Sequence, residues 1–560
     1  MFELLRPILH SAEAMLFLTI ALGVLLGRQK LRGFSFGSAA GTLIVGTLLG
    51  ALSGAAAPEL SPTLKSIAFL FFVFAVGFQS GPQFFASLGR ASLPLAVIAI
   101  VVAIMGLIAA VVAAWLFGFD KGTAIGLAAG SLTQTAMLGT AYGALEGVGL
   151  SASTLQEIEG RAAVTFALTY VIGTVGVVLF CSQIAPRLIG VDLKAAAQQL
   201  EVGQIGVTQG AGPQLDFRSL VARVFRVDAA QGLVLKDLNA SLGRLAAVER
   251  VRRSNQDLPL SDDLCLQRGD LVAVQGYRPA IVDAAGRIGQ EVAAEELVSD
   301  LLGDGVDVAL ASRYAGLTLH DAVTRLGEAG HGVFLRRIRR QSQELPVTSM
   351  TVLLPGDVLT LAGPPDRLGA VLPSIGTPVN RGHRADVAFL AAGLLCGVLI
   401  GLVTLTVKGL PITLSAGGGA LIAGLLFGWW HAKRPHIGIP QSATQIMWDF
   451  GLAAFCALVG LTAGPQALSA LQSEGLAMLA AALMVALAPQ FAGLLVGRLL
   501  GIHPVLLVGA LAGAQTQDAA MLAASDVAQS PTPALGFTVP YAIGNILLTM
   551  LGPAVVVLVA

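Results

Sequence analysis

Apolar residues in this chain are gathered into long unbroken runs. A membrane-crossing helix needs about 20 mostly apolar residues. Runs of that kind fall at about 11–27, 37–57, 64–82, 92–117 and 161–184, and again at 386–407, 411–430, 447–466, 475–499 and 534–558. Before the last run of each set lies a segment rich in Gly, Ala and Thr, at 122–145 and 503–525. The stretch between the two sets alternates apolar and polar residues and carries turn signals. The pattern predicts a polytopic α-helical membrane protein with an inserted α+β soluble region. Each half has about five spans plus one re-entrant or broken helix.

Charge follows the same division. Residues 186–384 hold 22 of the 34 Lys and Arg and 22 of the 34 Asp and Glu, and the other 361 residues share 12 of each sign. The predicted organisation is an N-terminal transmembrane repeat (1–185), a linker (186–219), a first module (220–285), a linker (286–304), a second module (305–375), a linker (376–385) and a C-terminal transmembrane repeat (386–560). The net charge of zero gives no sign of a nucleic-acid partner. The four cysteines form no CxxC pair and the seven histidines no metal-ligand spacing, so neither a metal nor a cofactor is expected. The cysteines read as small buried apolar residues. Neither apolar block carries a nucleophile–base set, so no enzyme is expected.

The halves repeat each other. Gly77-Phe78-Gln79-Ser80-Gly81-Pro82-Gln83 returns 383 residues later as Gly460-Leu461-Thr462-Ala463-Gly464-Pro465-Gln466. At the same offset, Gly130-Ser131-Leu132-Thr133-Gln134-Thr135 returns as Gly513-Ala514-Gln515-Thr516-Gln517-Asp518. Further matches join Gly23/Gly27 to Gly397/Gly401, Gly41/Gly46/Gly50 to Gly419/Gly424/Gly428, and Tyr170-Val-Ile-Gly173-Thr174 to Tyr541-Ala-Ile-Gly544-Asn545. Polar residues in apolar surroundings need partners, and paired helix interruptions in a duplicated membrane chain point to a transporter's binding site. Gly130 and Gly513 are expected to permit the break. Backbone N–H groups at the start of the second half-helix would then favour a carboxylate. Ser131, Thr133, Gln134, Thr135, Gln515, Thr516, Gln517 and Asp518 are the candidate substrate ligands, with Gln79, Ser80, Gln83, Thr462 and Gln466 reaching the same cavity. Gly81-Pro82 and Gly464-Pro465 are expected to end or kink their helices. Asp518, which stands where the first half has Thr135, suits a substrate ammonium, a coupling cation or a proton. Arg161 suits a substrate carboxylate or an interfacial anchor.

Lys and Arg near the span ends (Arg28, Lys30, Arg32, Arg90, Arg187, Lys194, Arg381, Arg384, Lys433, Arg434) all fall on one side if 122–145 dips in and returns. That side would be cytoplasmic and would hold the insert, leaving both termini outside and the halves inverted. Twelve spans with parallel halves is the alternative.

The insert has its own repeat at offset 87. Arg252 to Pro259 matches Arg339 to Pro346, and Leu266 to Gly276 matches Leu353 to Gly363, each with Leu-x-x-Gly-Asp before a strand. These units resemble TrkA-C (RCK-C) domains, which implies dimerisation, and hence a homodimer, and a small regulatory ligand. Arg336, Arg337, Arg339 and Arg340 would face an anionic ligand or acidic lipid, or else lie on a solvated strand face. The whole chain, by its Gly-x-x-x-Gly-Pro-Gln and Gly-x-x-Thr-Gln segments, resembles the aspartate:alanine exchanger family. That resemblance implies a bacterial inner-membrane antiporter that takes aspartate in and releases alanine. A cation-coupled symporter, an exchanger of other dicarboxylates and an RCK-gated channel are the alternatives; no Thr-Val-Gly-Tyr-Gly filter is present.

Overall fold

The computed structural model describes residues 11–31, 34–35, 37–53, 61–87, 92–147, 150–205, 220–242, 246–293, 305–330, 332–340, 343–348, 351–363, 365–379, 385–407, 410–413, 415–433, 438–471 and 475–559. Arg32, Arg90, Arg381, Arg384 and Arg434 lie outside them. The chain forms two compact units, Met1–Ala197 with His383–Ala560, and Gln198–Gly382.

In the first unit the elements run α1 (Ala12–Arg28), β1 (Lys30–Leu31), β2 (Phe34–Ser35), α2 (Ser38–Ser53), α3 (Pro62–Ser87), α4 (Leu93–Phe117), α5 (Lys121–Ser131), α6 (Thr135–Glu146) and α7 (Ala152–Leu179). A π-turn, Phe180–Ile184, carries α7 into α8 (Ala185–Ile189), and α9 (Leu193–Ile205) follows within the expected linker. After the insert come α14 (Val387–Gly401), β13 (Thr404–Val407), β14 (Leu410–Thr413), α15 (Ser415–Lys433), α16 (Gln441–Leu471), α17 (Gly475–Leu499), α18 (Pro504–Ala514), α19 (Asp518–Ala528) and α20 (Pro533–Leu558). Six of these stretches are long and apolar enough to cross a membrane: Pro62–Phe85, Leu93–Phe117, Ser153–Ile189, Gln441–Gly464, Leu476–Leu499 and Pro533–Leu558. The other four expected spans are the shorter helices α1, α2, α14 and α15, of 17, 16, 15 and 19 residues. In both sets the first two helices are joined by a two-stranded hairpin.

The matched glycines are where these helices touch. A Cβ at Gly23, Gly27 or Gly41 would come within 3.0 Å of backbone across the α1–α2 contact, and Gly397, Gly401 and Gly419 do the same for α14–α15. Lipid supplies little hydrophobic drive between helices, so close backbone approach at small residues carries the packing.

This contact corrects the expectation for the two Gly-Pro pairs. Helix α3 continues through Gly81 and Pro82, and α16 through Gly464 and Pro465. Proline removes the N–H that would bond four residues back, which frees the carbonyls of Phe78 and Leu461. Each freed carbonyl lies against a glycine of the opposite set, Phe78 O on Gly428 of α15 and Leu461 O on Gly50 of α2. The pairs therefore do not end their helices, and each marks a crossed packing, of α3 on α15 and of α2 on α16. Ser80 and Gln83 are buried within α3, and the Thr462 hydroxyl bonds back to Leu458 O and Val459 O of its own helix. The side chains of Pro465 and Gln466 lie outside what is described.

The second unit contains β3 (Leu220–Arg226), α10 (Leu235–Leu242), β4 (Ala246–Arg253), β5 (Gln256–Leu258), β6 (Leu271–Tyr277), α11 (Arg278–Ile288) and β7 (Glu291–Val292). The same order recurs as β8 (Val306–Leu310), α12 (Leu319–Leu326), β9 (Phe334–Arg340), β10 (Gln343–Leu345), β11 (Val358–Ala362), α13 (Pro365–Ile375) and β12 (Gly376–Pro378). Both five-stranded antiparallel sheets share one topology, β5-β4-β6-β3-β7 and β10-β9-β11-β8-β12. Gly269 and Gly356 of the repeated Gly-Asp turn take left-handed φ of 92° and 89°. The following aspartates, Asp270 and Asp357, each accept from a backbone N–H and hold Arg253 and Arg340 bidentately. Arg337 pairs with Glu344 and Arg339 with Asp307. Three of the four arginines of the basic run are thus matched by carboxylates, and Arg340 is buried on Asp357 rather than lying on a solvated face.

Glu249 is skipped in the β4–β6 register, and Arg336, 87 residues on, is skipped in β9–β11. Glu249 is 8% exposed. Burial pushes its carboxyl up to about 8, against the pull of Arg367. The folded state holds this proton more tightly than the unfolded chain does. Its stabilising effect is full below the ordinary value of 4.5 and is lost as pH rises through about 8. The whole difference is at most roughly 5 kcal/mol. Glu249→Gln should therefore flatten the fall in melting temperature of the detergent-solubilised full chain between acid and alkaline buffer. Parallel curves for parent and variant would contradict this assignment.

Candidate functional site: two broken helices that meet

Helix α5 runs alongside α7 from a shared end. Gly122 lies on Ile158 and Arg161, Gly126 on Ala162 and Phe166, and Gly130 on Phe166 and Tyr170. The chain then breaks at Leu132–Gln134 and α6 returns, so that the Tyr142 hydroxyl donates to Glu159 O at 3.0 Å near the start of α7. The second set repeats this arrangement. Gly509 lies on Pro533 and Gly513 on Phe537 and Tyr541. The break falls at Gln515–Gln517, and α19 leads back into α20. On its way back α6 meets the far end of α20: the Thr140 hydroxyl donates to Thr549 O at 2.6 Å, and Gly552 lies on Met137 and Ala141. The start of α7 and the end of α20 therefore share a level, and the two helices run in opposite directions.

Both breaks use one backbone device. Thr133 N donates to Gly130 O and Gln134 N to Ala129 O, at 2.9 and 2.8 Å; Thr516 N donates to Gly513 O and Gln517 N to Ala512 O, at 2.8 and 2.9 Å. This is a Schellman closure, whose left-handed residue is usually Gly. Here it is threonine both times, with φ of 57° and 55°. A β-branched residue in that region costs about 1–3 kcal/mol and persists where the surroundings enforce it. For Thr133 the compensation is visible, since its hydroxyl donates to Gln515 O of the other break at 2.9 Å.

The breaks also reach across each other. Gln134 Nε2 donates to Asn545 Oδ1 on α20 at 3.3 Å, and Gln517 Nε2 donates to Thr174 Oγ1 on α7 at 3.5 Å. Asn545 and Thr174 are matched positions of the repeat, so the two bonds are counterparts. Phe166–Tyr170 and Phe537–Tyr541 form matched ring pairs, with centroids 5.3 and 4.9 Å apart. The Asp518 carboxylate lies within electrostatic reach of both Tyr170 and Tyr541.

Two asymmetries break the match. Gln515 is bonded to Gln490 of α17 and donates to Ala486 O at 3.2 Å, whereas the first set has Leu132 and Leu107 at those positions. Thr135 is 7% exposed, but Asp518 is exposed. The difference extends along the helices: Gly139 and Gly143 of α6 are covered by Phe69 and Ser415, while Asp518, Leu522 and Asp526 leave the corresponding face of α19 open. Buried Ser131 Oγ and Gln490 Oε1 have no hydrogen-bond partner.

The structure brings together Thr133, Gln134, Thr135, Gln515, Thr516, Gln517 and Asp518 of the sequence-predicted set. Ser131 is buried just before the first break. Arg161 is not among them: it lies on the surface at the start of α7, paired with Asp120 and Glu157. It is 13 residues from Thr174, roughly 20 Å along the helix. Sequence reasoning did not single out Tyr170, Thr174, Gln490, Tyr541 or Asn545 as site residues. The Tyr-x-x-x-Thr/Asn match between halves was the available signal. Cys181 and Cys456 are buried as expected, but Cys265 and Cys396 are exposed. Among the described residues no cluster of three metal-ligating side chains occurs.

Residues 15–186 and 389–557, the two helical sets without the insert, match the Asp-Al_Ex family, described as a predicted permease membrane region. The chain belongs to that family. It is 40% identical over 558 residues to an uncharacterized transporter of Bradyrhizobium diazoefficiens, covering 99% of both chains. It is 34% identical to one of Zymomonas mobilis, again covering 99% of each, and 36% identical to one of Bordetella parapertussis, covering 97% of this chain and 96% of that one. No solved structure matches it. This family member is a membrane protein, and its matched segments contain both broken helices.

Proposed function

We propose that this protein is a secondary active antiporter that exchanges small carboxylated amino acids, aspartate inward against alanine outward. The two helical sets act as inverted repeats and give alternating access to one site between the breaks. The observation that carries this reading is the crossed pair of breaks with one face covered and its counterpart open. A near-symmetric site with asymmetric access is what a rocking exchanger needs, because exchanging the two arrangements moves the opening to the other side. The N-termini of α6 and α19 offer backbone N–H groups to a carboxylate, with Thr135 adding a hydroxyl. Asp518 offers the complementary charge to an ammonium.

The insert, as a pair of TrkA-C-like modules on the cytoplasmic side of a bacterial inner membrane, would serve regulation and dimerisation. Liposomes loaded with alanine should accumulate external labelled aspartate through the purified protein. An absence of uptake with every amino acid and dicarboxylate tried inside would sink the exchange reading. Asp518 supports a second reading, cation-coupled symport. It predicts uptake into unloaded vesicles only when a sodium or proton gradient is imposed.

A further inference from the structure

The bundle divides into two helix groups. Helices α1–α3 and α14–α16 pack through the glycine contacts described above, and α4–α7 pack with α17–α20 around the breaks. Among the described residues one ion pair joins the groups, Lys65 Nζ on α3 to Glu159 Oε2 on α7, at 2.7 Å. It is a protected pair, with side chains only 17% and 12% exposed. Tyr142 of α6 closes it from a third helix: Lys65 lies 5.4 Å from the centroid of its ring, and its hydroxyl is bonded to Glu159 O. The cluster sits at the end to which α6 returns, on the side where α6 is covered. At the matched positions near α19 the chain has Trp448, Ser525 and Ser530, none of them charged, and there the face is open.

We propose that Lys65 and Glu159, clasped by Tyr142, are the lock that holds the α6 side of the site shut, and that this contact must break for α6 to open. The proposal rests on the transporter reading. Loss of one partner leaves the other charge partly buried without its ion pair, with Glu146 still within electrostatic reach of Lys65 after Glu159→Gln, and the closed arrangement carries that cost. Lys65→Met and Glu159→Gln therefore shift the population toward the α6-open arrangement, whereas Lys65→Arg keeps the lock.

The test is labelling of a single reporter cysteine in proteoliposomes, with no substrate present, so it reads the gate even if no exchange is ever found. Thr135→Cys, placed in a background with the four native cysteines replaced by serine, should react with a membrane-impermeant maleimide at least about tenfold faster in Lys65→Met and Glu159→Gln, as a shift of about 1.4 kcal/mol requires. With Lys65→Arg the rate should stay at the parent value. Rates that do not change in either lock-breaking variant, in protein that elutes as the parent does, overturn the proposal. Should those variants fail to fold, a short bis-methanethiosulfonate bridge between cysteines at 65 and 159 supplies the second measurement. Bridging should hold Thr135→Cys at its slow rate under every gradient imposed, and reduction should release it. Fast labelling while bridged also overturns the proposal.

Discussion

Asp518→Asn should cut exchange of amino acids by about 100-fold while leaving the protein folded. Asp518 is the one unmatched carboxylate at the paired breaks, and it lies within electrostatic reach of Tyr170 and Tyr541. Its side chain is exposed, at the first position of α19, so the substitution removes no packing. On the exchange reading, what is lost is an electrostatic contact with a substrate ammonium or coupling cation that is taken out of water when the site between the breaks occludes. Breaking such a pair from one side costs about 3 kcal/mol, or roughly a 100-fold loss. Thr135→Asn, at the buried counterpart, changes no charge. Initial rates of counterflow in proteoliposomes, with folding checked by size-exclusion, decide the matter. An Asp518→Asn rate within threefold of the parent would remove Asp518 from the site. Under the symport reading the same variant should lose its dependence on the cation gradient.

The second large effect concerns assembly. Gly513→Leu should leave little folded protein. Gly513 is fully enclosed where α18 runs along α20, and a Cβ there would sit well under 3.0 Å from Phe537 O. The obstacle is backbone carbonyl, which no rotamer change moves aside. Either α18 lifts off α20 or the break loses the closure that Gly513 O makes with Thr516 N. Overpacking in a tight core costs about 1–3 kcal/mol where side chains can yield, and here the cost is larger. Gly286→Ala, where an added Cβ meets nothing within 4 Å, is the control and should express as the parent does. Fluorescence-detected size-exclusion of tagged variants reads both. Normal yield and elution for Gly513→Leu would show that the helix contact is looser than described.

Much of this architecture is legible in the chain because helix contacts in a membrane are written in glycine. Gly41, Gly46 and Gly50 and their counterparts Gly419, Gly424 and Gly428 were visible as a repeat, and most proved to be points of backbone contact. The breaks were legible for the same reason, since polar residues at Ser131–Thr135 and Gln515–Asp518 have no place in an unbroken apolar helix. The insert's duplication was equally open, through its Leu-x-x-Gly-Asp turns.

What escaped the sequence depends on partners distant in the chain. Pro82 and Pro465 imply breaks only if the carbonyl four residues back needs its own helix for company. Here Phe78 O and Leu461 O rest on glycines of the opposite set, and the helices continue. Thr133 and Thr516 stand where glycine is the usual occupant, so their left-handed backbone is unexpected. The reason for Thr133 is a carbonyl 382 residues away. Arg161 admits two readings in the sequence, a carboxylate ligand or an interfacial anchor, and the choice depends on Asp120, at the N-terminus of α5, which reaches it at the surface. Gln490 gave no signal, since a lone glutamine in α17 has no counterpart in the first half.

The proposed substrate site is the meeting point of the two breaks. The most direct measurement is an electron cryomicroscopy map of the full chain with the amino acid that drives fastest counterflow. Ligand density touching the first turns of α6 and α19, between Thr135 and Asp518, is the predicted result. Density lodged instead along α3 and α16, beside Ser80 and Gln83, with the breaks still joined through Thr133 and Gln515, would contradict it.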